Sequence, residues 1–106
     1  MNIKLLYLYR DAGNYKNFGE VVFGNAARLP VELVYSVVRR HLIEESWFAA
    51  DRWGLPDLHF KEYGWDSALD HGWHELEGIE ATDDVATGGE DVAVFLERVK
   101  RVGVLG

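Results

Sequence analysis

The sequence predicts an α+β fold, a two-layer sandwich in which a mainly antiparallel four-stranded sheet carries two helices on one face. Three observations support this prediction. The hydrophobic fraction of 48% is ample for one core. Apolar segments with the patterns of strands and of amphipathic helices follow one another in the order β-β-α-β-β-α. The length of 106 residues fits a single domain, residues 1–106.

The first two strands are predicted to form an antiparallel hairpin. Residues 3–9 are apolar with little alternation, which is typical of a central strand buried on both faces. Turn-forming residues follow at 11–14, and residues 18–23 have the composition of a second strand. A hairpin with a long polar loop is the simplest arrangement of these segments.

A helix is predicted from Pro30 onward, because proline fits the first helical position, where its missing N–H costs nothing. Val34, Val38, His41 and Leu42 then lie on one helical stripe. The valines of this segment lower its helix propensity, so a strand is the alternative. The length of the segment favours the helix.

Two further strands and a closing helix are predicted in the second half. Residues 47–50 form the third strand, and residues 73–79 the fourth, which its acidic side chains place near a sheet edge. Thr87 and Glu90 have the spacing of a capping box. Apolar residues then repeat at intervals of three and four, which predicts a helix that buries Val92, Phe95, Leu96, Val99 and Val102.

The negative charge is concentrated in the second half of the chain. The net charge is −7; residues 51–106 carry thirteen acidic and five basic side chains, against five and six in residues 1–50. Such a surface repels nucleic-acid phosphates and anionic lipids, so we expect neither direct nucleic-acid binding nor membrane binding. It attracts basic proteins. The alternative is that the acidic side chains only keep a small domain soluble.

The absence of cysteine excludes a disulfide scaffold, a thiolate metal site and a cysteine nucleophile. The N-terminal segment lacks the features of a signal peptide, and no stretch approaches the ~20 apolar residues of a membrane span. These features predict a cytoplasmic protein. No motif indicates a cofactor, and none is predicted.

The densest group of metal-ligating side chains lies around the fourth predicted strand. His59, His71 and His74 are the candidate metal ligands, but histidines three apart point to opposite faces of a strand, so no metal site is predicted. With Asp57 and Glu75, the same group makes a small metal-dependent or acid–base hydrolase the second candidate function. No serine lies in a nucleophile-elbow motif, and no catalytic residue is assigned.

Four tryptophans are many for a chain of this length. Core packing accounts for most of them. If Trp65 or Trp73 is exposed beside acidic side chains, it would anchor a protein partner, because aromatic residues dominate interface hot spots. An exposed tryptophan also suits a sugar, which makes a small-ligand or carbohydrate binder the third candidate function.

The predicted hairpin loop holds a second group of binding candidates, Asn14, Tyr15, Lys16 and Asn17. Hydrogen-bonding, aromatic and basic side chains in a loop are suited to recognition. The asparagine side chains are equally suited to tying down the loop itself. The sequence leaves both interpretations open.

Several segments resemble a group of small bacterial proteins of unknown function. Residues 9–11 (YRD), 14–17 (NYKN) and 19–23 (GEVVF) resemble the start of that group, and residues 54–58 (GLPDL) and 73–75 (WHE) resemble its later parts. The resemblance spans most of the chain and implies no activity. It implies that these residues are better site candidates than the surrounding acidic ones.

The first candidate function is a non-enzymatic acidic module that binds a protein partner, in particular a basic one, through residues 57–84. An immunity or inhibitor protein that neutralises a basic toxin or nuclease is one concrete form. The sequence does not determine an oligomeric state. The binding candidates in this segment are Asp57, Trp65, Trp73, His74 and Glu75.

Overall fold

The computed structural model describes residues 1–10, 13–58 and 73–102. These residues form four strands and two helices in the predicted order, which confirms the α+β fold. The elements are β1 (Asn2–Arg10), β2 (Lys16–Phe23), α1 (Val31–Arg40), β3 (Trp47–Ala49), β4 (Trp73–Thr82) and α2 (Val92–Val102).

The strands form one antiparallel sheet in the order β2-β1-β4-β3. The prediction that the first strand is central and pairs with the second is confirmed. The prediction that the fourth strand lies near an edge is confirmed, since β4 lies second from the edge, between β1 and the short strand β3. Glu75 and Glu80 pair with Leu8 and Lys4 of β1, and all four side chains lie on the sheet face opposite Ile3, Leu5 and Tyr7. β3 pairs only with the first three residues of β4.

One face of the sheet, here called the inner face, packs against both helices. Successive side chains of a strand point to opposite faces, so Ile3, Leu5 and Tyr7 of β1 share this face, and all three are buried. The opposite face, carrying Lys4, Leu6 and Leu8, is called the outer face. The helical side chains that complete the inner core are Val34 and Val38 of α1 and Val92, Phe95, Leu96 and Val99 of α2.

Helix α1 begins one residue later than predicted. Pro30 is the N-cap, with φ −64° and ψ 143°, and its carbonyl oxygen accepts hydrogen bonds from the N–H groups of Leu33 and Val34. The fixed φ of proline suits either the N-cap or the first helical position, and the extended ψ decides between them. At the other end, the Nδ1 atom of the C-cap residue His41 lies 2.8 Å from the carbonyl oxygen of Val37.

The predicted capping box at the start of α2 is wrong. The Asp91 carboxylate caps this helix, because its Oδ2 accepts a hydrogen bond from the Ala93 N–H at 3.0 Å. Its Oδ1 accepts another from the Ala26 N–H at 2.9 Å, which ties the helix to the chain after β2. Aspartate is among the strongest N-cap residues and stands immediately before the helix, whereas Thr87 and Glu90 make other contacts.

The segment between β4 and α2 crosses the outer face and reaches the far edge of the sheet. The side chain of Asn2 donates to the carbonyl oxygen of Asp84 at 2.9 Å. The Thr87 N–H then donates to the Val22 carbonyl oxygen at 3.0 Å, and the Thr87 Oγ1 accepts from the Val22 N–H at 3.1 Å. This crossing covers one end of the outer face, and Val22 is buried there.

Neither helix in residues 1–10, 13–58 and 73–102 is long and apolar enough to cross a membrane.

Candidate functional site

The outer face aligns one side chain from each strand in a row across the sheet. The strand register places Phe18 of β2 beside Leu8 of β1, Leu8 beside Glu75 of β4, and Glu75 beside Trp47 of β3. Directly paired residues have Cβ atoms about 5 Å apart, so this row forms a continuous surface. The predicted alternation of β4 is confirmed, since Trp73 is exposed on this face and His74 is buried on the other.

The centre of this row is fixed by the Glu75 carboxylate. The Arg10 guanidinium binds it with two hydrogen bonds, from Nε to Oε1 at 3.2 Å and from Nη2 to Oε2 at 3.1 Å. The Trp47 Nε1–H adds a third at 3.3 Å. A bidentate Arg–carboxylate pair fixes the geometry of both side chains. Glu75 therefore orients Arg10 and Trp47, which is a positioning role that the sequence did not reveal.

Aromatic side chains surround this centre and form what we call the aromatic end of the outer face, made of Phe18, Trp47 and Trp73. Phe18 is 57% exposed and Trp73 43% exposed. The rings of Trp47 and Trp73 lie 5.9 Å apart. Trp53, by contrast, is 2% exposed and stacks on Phe48 in the core. Core packing thus explains Trp53 and exposure distinguishes Trp73, whereas Trp65 lies outside the described residues.

The other part of the outer face is acidic. Glu77 is the extra residue of a bulge, where the register with β1 shifts between Leu6 and Tyr7. Glu80 pairs with Lys4 and therefore lies on the outer face. Glu77 at the bulge and Asp83 just after β4 flank it, and all three side chains are exposed. We call these three residues the acidic end.

A lysine holds together the strands beside the acidic end. The Lys4 Nζ lies 2.7 Å from the Asp84 carboxylate and 3.3 Å from the Glu20 carboxylate. Hydrogen bonds to these two groups raise the pKa of Lys4, and the bond to Lys4 lowers the pKa of Asp84. Both shifts favour the charged forms. Lys4 thus links β1 to β2 and to the crossing segment.

The four binding candidates of the hairpin loop fall into two pairs, one that bonds within the chain and one that is exposed. Asn14 has a φ of 67°, and its Oδ1 accepts a hydrogen bond from Arg10 Nη1 at 2.6 Å. The Asn17 side chain donates to the Leu58 carbonyl oxygen at 2.9 Å. The two asparagines therefore tie the chain to itself. Tyr15 is 68% exposed, and Lys16, the first residue of β2, is exposed as well.

His74 lies on the inner face and is 1% exposed. The Leu58 N–H donates to its Nε2 at 3.0 Å, so this nitrogen acts as an acceptor and the ring is neutral. The Asp57 Oδ1 lies 3.5 Å from the same nitrogen. The rings of Tyr7 and Tyr9 lie 5.9 and 5.3 Å from the imidazole. These contacts place His74 among core aromatics.

Residues 54–58 dock onto the inner face at this cluster. The buried Tyr7 hydroxyl donates to the Pro56 carbonyl oxygen at 2.6 Å. Burial raises the pKa of Tyr7 to about 12, and the nearby Asp57 carboxylate adds to the shift. Leu58 fills the space above Gly19, where a Cβ would lie 2.9 Å from its methyl carbons. Tyr7 is a second positioning residue that sequence reasoning missed, because it lies within an apolar run.

The structure separates the members of the predicted hydrolase group. Asp57 lies beside His74, but Glu75 projects from the opposite face of β4. His59 and His71 lie outside the described residues. Among residues 1–10, 13–58 and 73–102, no three His, Cys, Asp or Glu side chains are close enough together to hold a metal ion.

A cavity of about 350 Å³ opens beside the edge strand β2, between residues 54–56 and 87–90. Val21, Phe23 and Leu55 supply its apolar lining. Glu90, also in the lining, is held by two hydrogen bonds of 2.8 Å from the Arg98 guanidinium. Arg98 also donates to the Trp53 carbonyl oxygen at 3.1 Å, so this pair joins α2 to the turn before the cavity.

Comparison with protein-family models, with curated proteins and with solved structures finds no match for this chain. The resemblance to small bacterial proteins therefore stays a prediction. The outer face, with its aromatic and acidic ends, is the surface from which a function is inferred.

Proposed function

We propose that this protein is a non-enzymatic interaction module that binds a basic protein partner through the outer face of its sheet. One observation carries the proposal. The outer face combines exposed aromatic side chains at one end with exposed carboxylates at the other, on a sheet whose inner face is occupied by the core.

The aromatic end supplies the apolar part of such an interface. Phe18 and Trp73 are about half exposed, so each gains roughly 1 kcal/mol when a partner buries the exposed part. Trp47 is already oriented by its hydrogen bond to Glu75, so less ordering is needed on binding. Rigid aromatic residues of this kind are typical hot spots.

The acidic end supplies charge complementarity. Glu77, Glu80 and Asp83 attract a basic surface and speed its approach, and this effect weakens as salt increases. An immunity or inhibitor protein that neutralises a basic toxin or nuclease is one form of such a module. The contacts of His74 support a structural role for it rather than catalysis, since it is buried and accepts a backbone hydrogen bond.

The proposal is tested by capturing partners from an extract of the native host at two salt concentrations. The immobilised protein is exposed to the extract at ~0.1 M salt, where charges act over about 10 Å, and then washed at ~1 M, where they act over about 3 Å. An unrelated protein of equal size and net charge is the control bait. We expect basic proteins that are retained only by this protein and released at high salt, as identified by mass spectrometry. Retention of the same proteins by both baits would contradict the proposal.

A further inference from the structure

The outer edge of β2 carries backbone groups that point away from the sheet. In an antiparallel strand, the N–H and C=O of one residue both point to the same side, and the side alternates from each residue to the next. Val22 exchanges hydrogen bonds with Thr87 on the side away from β1. With a period of two, the N–H and C=O groups of Lys16, Phe18 and Glu20 point outward along the same edge. The crossing segment covers this edge at Val22, and among residues 1–10, 13–58 and 73–102 no strand pairs with the outer edge of residues 16–20.

We propose that residues 16–20 of β2 pair antiparallel with the same residues of a second copy of this chain. The two-fold axis passes between the two Phe18 residues, so the two sheets join into one of eight strands. An antiparallel pair of this register forms about six main-chain hydrogen bonds. Both outer faces then lie on the same side of the joined sheet, since the axis is perpendicular to it.

The charges along the edge are complementary to themselves. With Phe18 opposite Phe18 of the second copy, Lys16 lies opposite Glu20 of the second copy, and the reverse pair forms by symmetry. Opposite charges directly across an antiparallel pair are stabilising. Both side chains are exposed and lie on the outer face together with Phe18. Glu20 keeps 53% of its side chain exposed even beside Lys4, which also holds Asp84.

The exposed aromatic side chain at the axis supports the same occupant. Phe18 is 57% exposed although it lies in a strand, and pairing with a second copy stacks it against its own equivalent. Aromatic cross-strand pairs stabilise antiparallel sheets. An edge strand with an apolar side chain between two charges of opposite sign thus complements another copy of itself.

The chain around these residues limits the pairing to five residues. On one side, Thr87 occupies the edge at Val22. On the other side, Asn14 has a φ of 67°, which turns the chain away before Lys16. A short pairing of this kind buries little area, so the dimer forms at high protein concentration rather than as an obligate assembly.

Sedimentation equilibrium over a wide concentration range tests the proposal. The wild-type chain is expected to show a monomer–dimer equilibrium. K16E places two carboxylates opposite each other across the dimer axis, and E20K places two ammonium groups opposite each other. Each variant alone is expected to associate roughly tenfold or more weakly than the wild type, because two attractive pairs become repulsive. An equal mixture of the two variants restores both attractive pairs and is expected to form a heterodimer.

The mixture serves as the control for folding, since only folded variants can restore each other's association. A wild-type chain that stays monomeric throughout the range would overturn the proposal. So would a K16E variant that dimerises as strongly as the wild type, because the dimer would then use another surface. Circular dichroism of each variant, with spectra equal to that of the wild type, accompanies the measurement.

Discussion

Tyr7 shows how one buried polar group fixes a segment of irregular chain. It lies in the central strand, and its hydroxyl reaches the Pro56 carbonyl oxygen at 2.6 Å. The pKa of this hydroxyl is raised to about 12, chiefly because burial disfavours the phenolate. The neutral form is therefore required for the native contact between β1 and residues 54–58.

This pKa predicts a loss of stability at high pH. Below pH 10 Tyr7 is protonated in both the native and the unfolded chain. Between pH 10 and 12 the unfolded chain loses the proton first, so the free energy of unfolding falls by up to about 2–3 kcal/mol. Urea unfolding at a series of pH values from 8 to 12 measures this fall in the free energy of unfolding.

Tyr7→Phe is the matched control for this prediction, because it keeps the ring and removes the titrating group. Its free energy of unfolding is expected to be about 1 kcal/mol lower than that of the wild type at pH 8, since the Pro56 carbonyl loses its donor. The difference between the two proteins should shrink or reverse as the pH approaches 12. A difference that stays constant with pH would contradict the assigned pKa.

At the residue scale, the sequence predicted side-chain positions correctly where the alternation within one strand determines them. The alternation of β4 correctly placed Trp73 and His74 on opposite faces. It could not find the Arg10–Glu75 pair, because that contact joins residues far apart in the chain and depends on the register of β1 with β4. Tyr7 was missed for the same reason, since the role of its hydroxyl depends on the contact with Pro56, which lies far away in the chain.

Helix α2 shows a local signal that points to the wrong cap. Thr87 and Glu90 match the capping-box spacing, but Asp91 stands next to the helix and satisfies its first turn. Thr87 instead completes the edge of β2 through Val22. The tertiary partner of Thr87 lies in another element, so spacing alone could not decide between the two roles.

Asp91→Ala is therefore expected to weaken the start of α2, whereas Thr87→Ala is not. The aspartate variant should lower the free energy of unfolding by about 1–2 kcal/mol, because the N–H groups of Ala93 and Ala26 lose their acceptor. Amide hydrogen exchange locates each effect. Faster exchange is expected in the first turn of α2 for Asp91→Ala, and at Val22 for Thr87→Ala. Faster exchange in the first turn of α2 for both variants would contradict this assignment and indicate that Thr87 also caps the helix.

The order and type of the elements along the chain followed from periodicity, but the complete strand order of the sheet did not. The acidic residues of β4 correctly suggested a position near an edge, since β4 lies second from the edge and β3 pairs only with its first three residues. A strand exposed on one face and a strand at an edge both carry charged side chains. Only the pairing partners distinguish them, and those lie elsewhere in the chain.

At the scale of the whole molecule, the proposed function assigns folding to the inner face of the sheet and recognition to the outer face. The inner face carries the core residues of β1 and both helices. The outer face carries the aromatic and acidic ends, which contribute less to that core. In this proposal, partner binding depends on where the acidic side chains lie as well as on the net charge of −7. Substitutions at the acidic end should change partner binding and leave the fold intact.

A comparison of three baits tests this division most directly: the wild type, E77K/E80K and E32K/E97K. Both double variants change the net charge equally, but only the first alters the acidic end, since Glu32 and Glu97 are exposed on the helices. The quantity measured is the retention, at ~0.1 M salt, of host proteins that ~1 M salt releases. The wild type and E32K/E97K are expected to retain the same basic protein, and E77K/E80K to lose it. Equal loss with both double variants, or unchanged retention by E77K/E80K, would contradict recognition through the outer face.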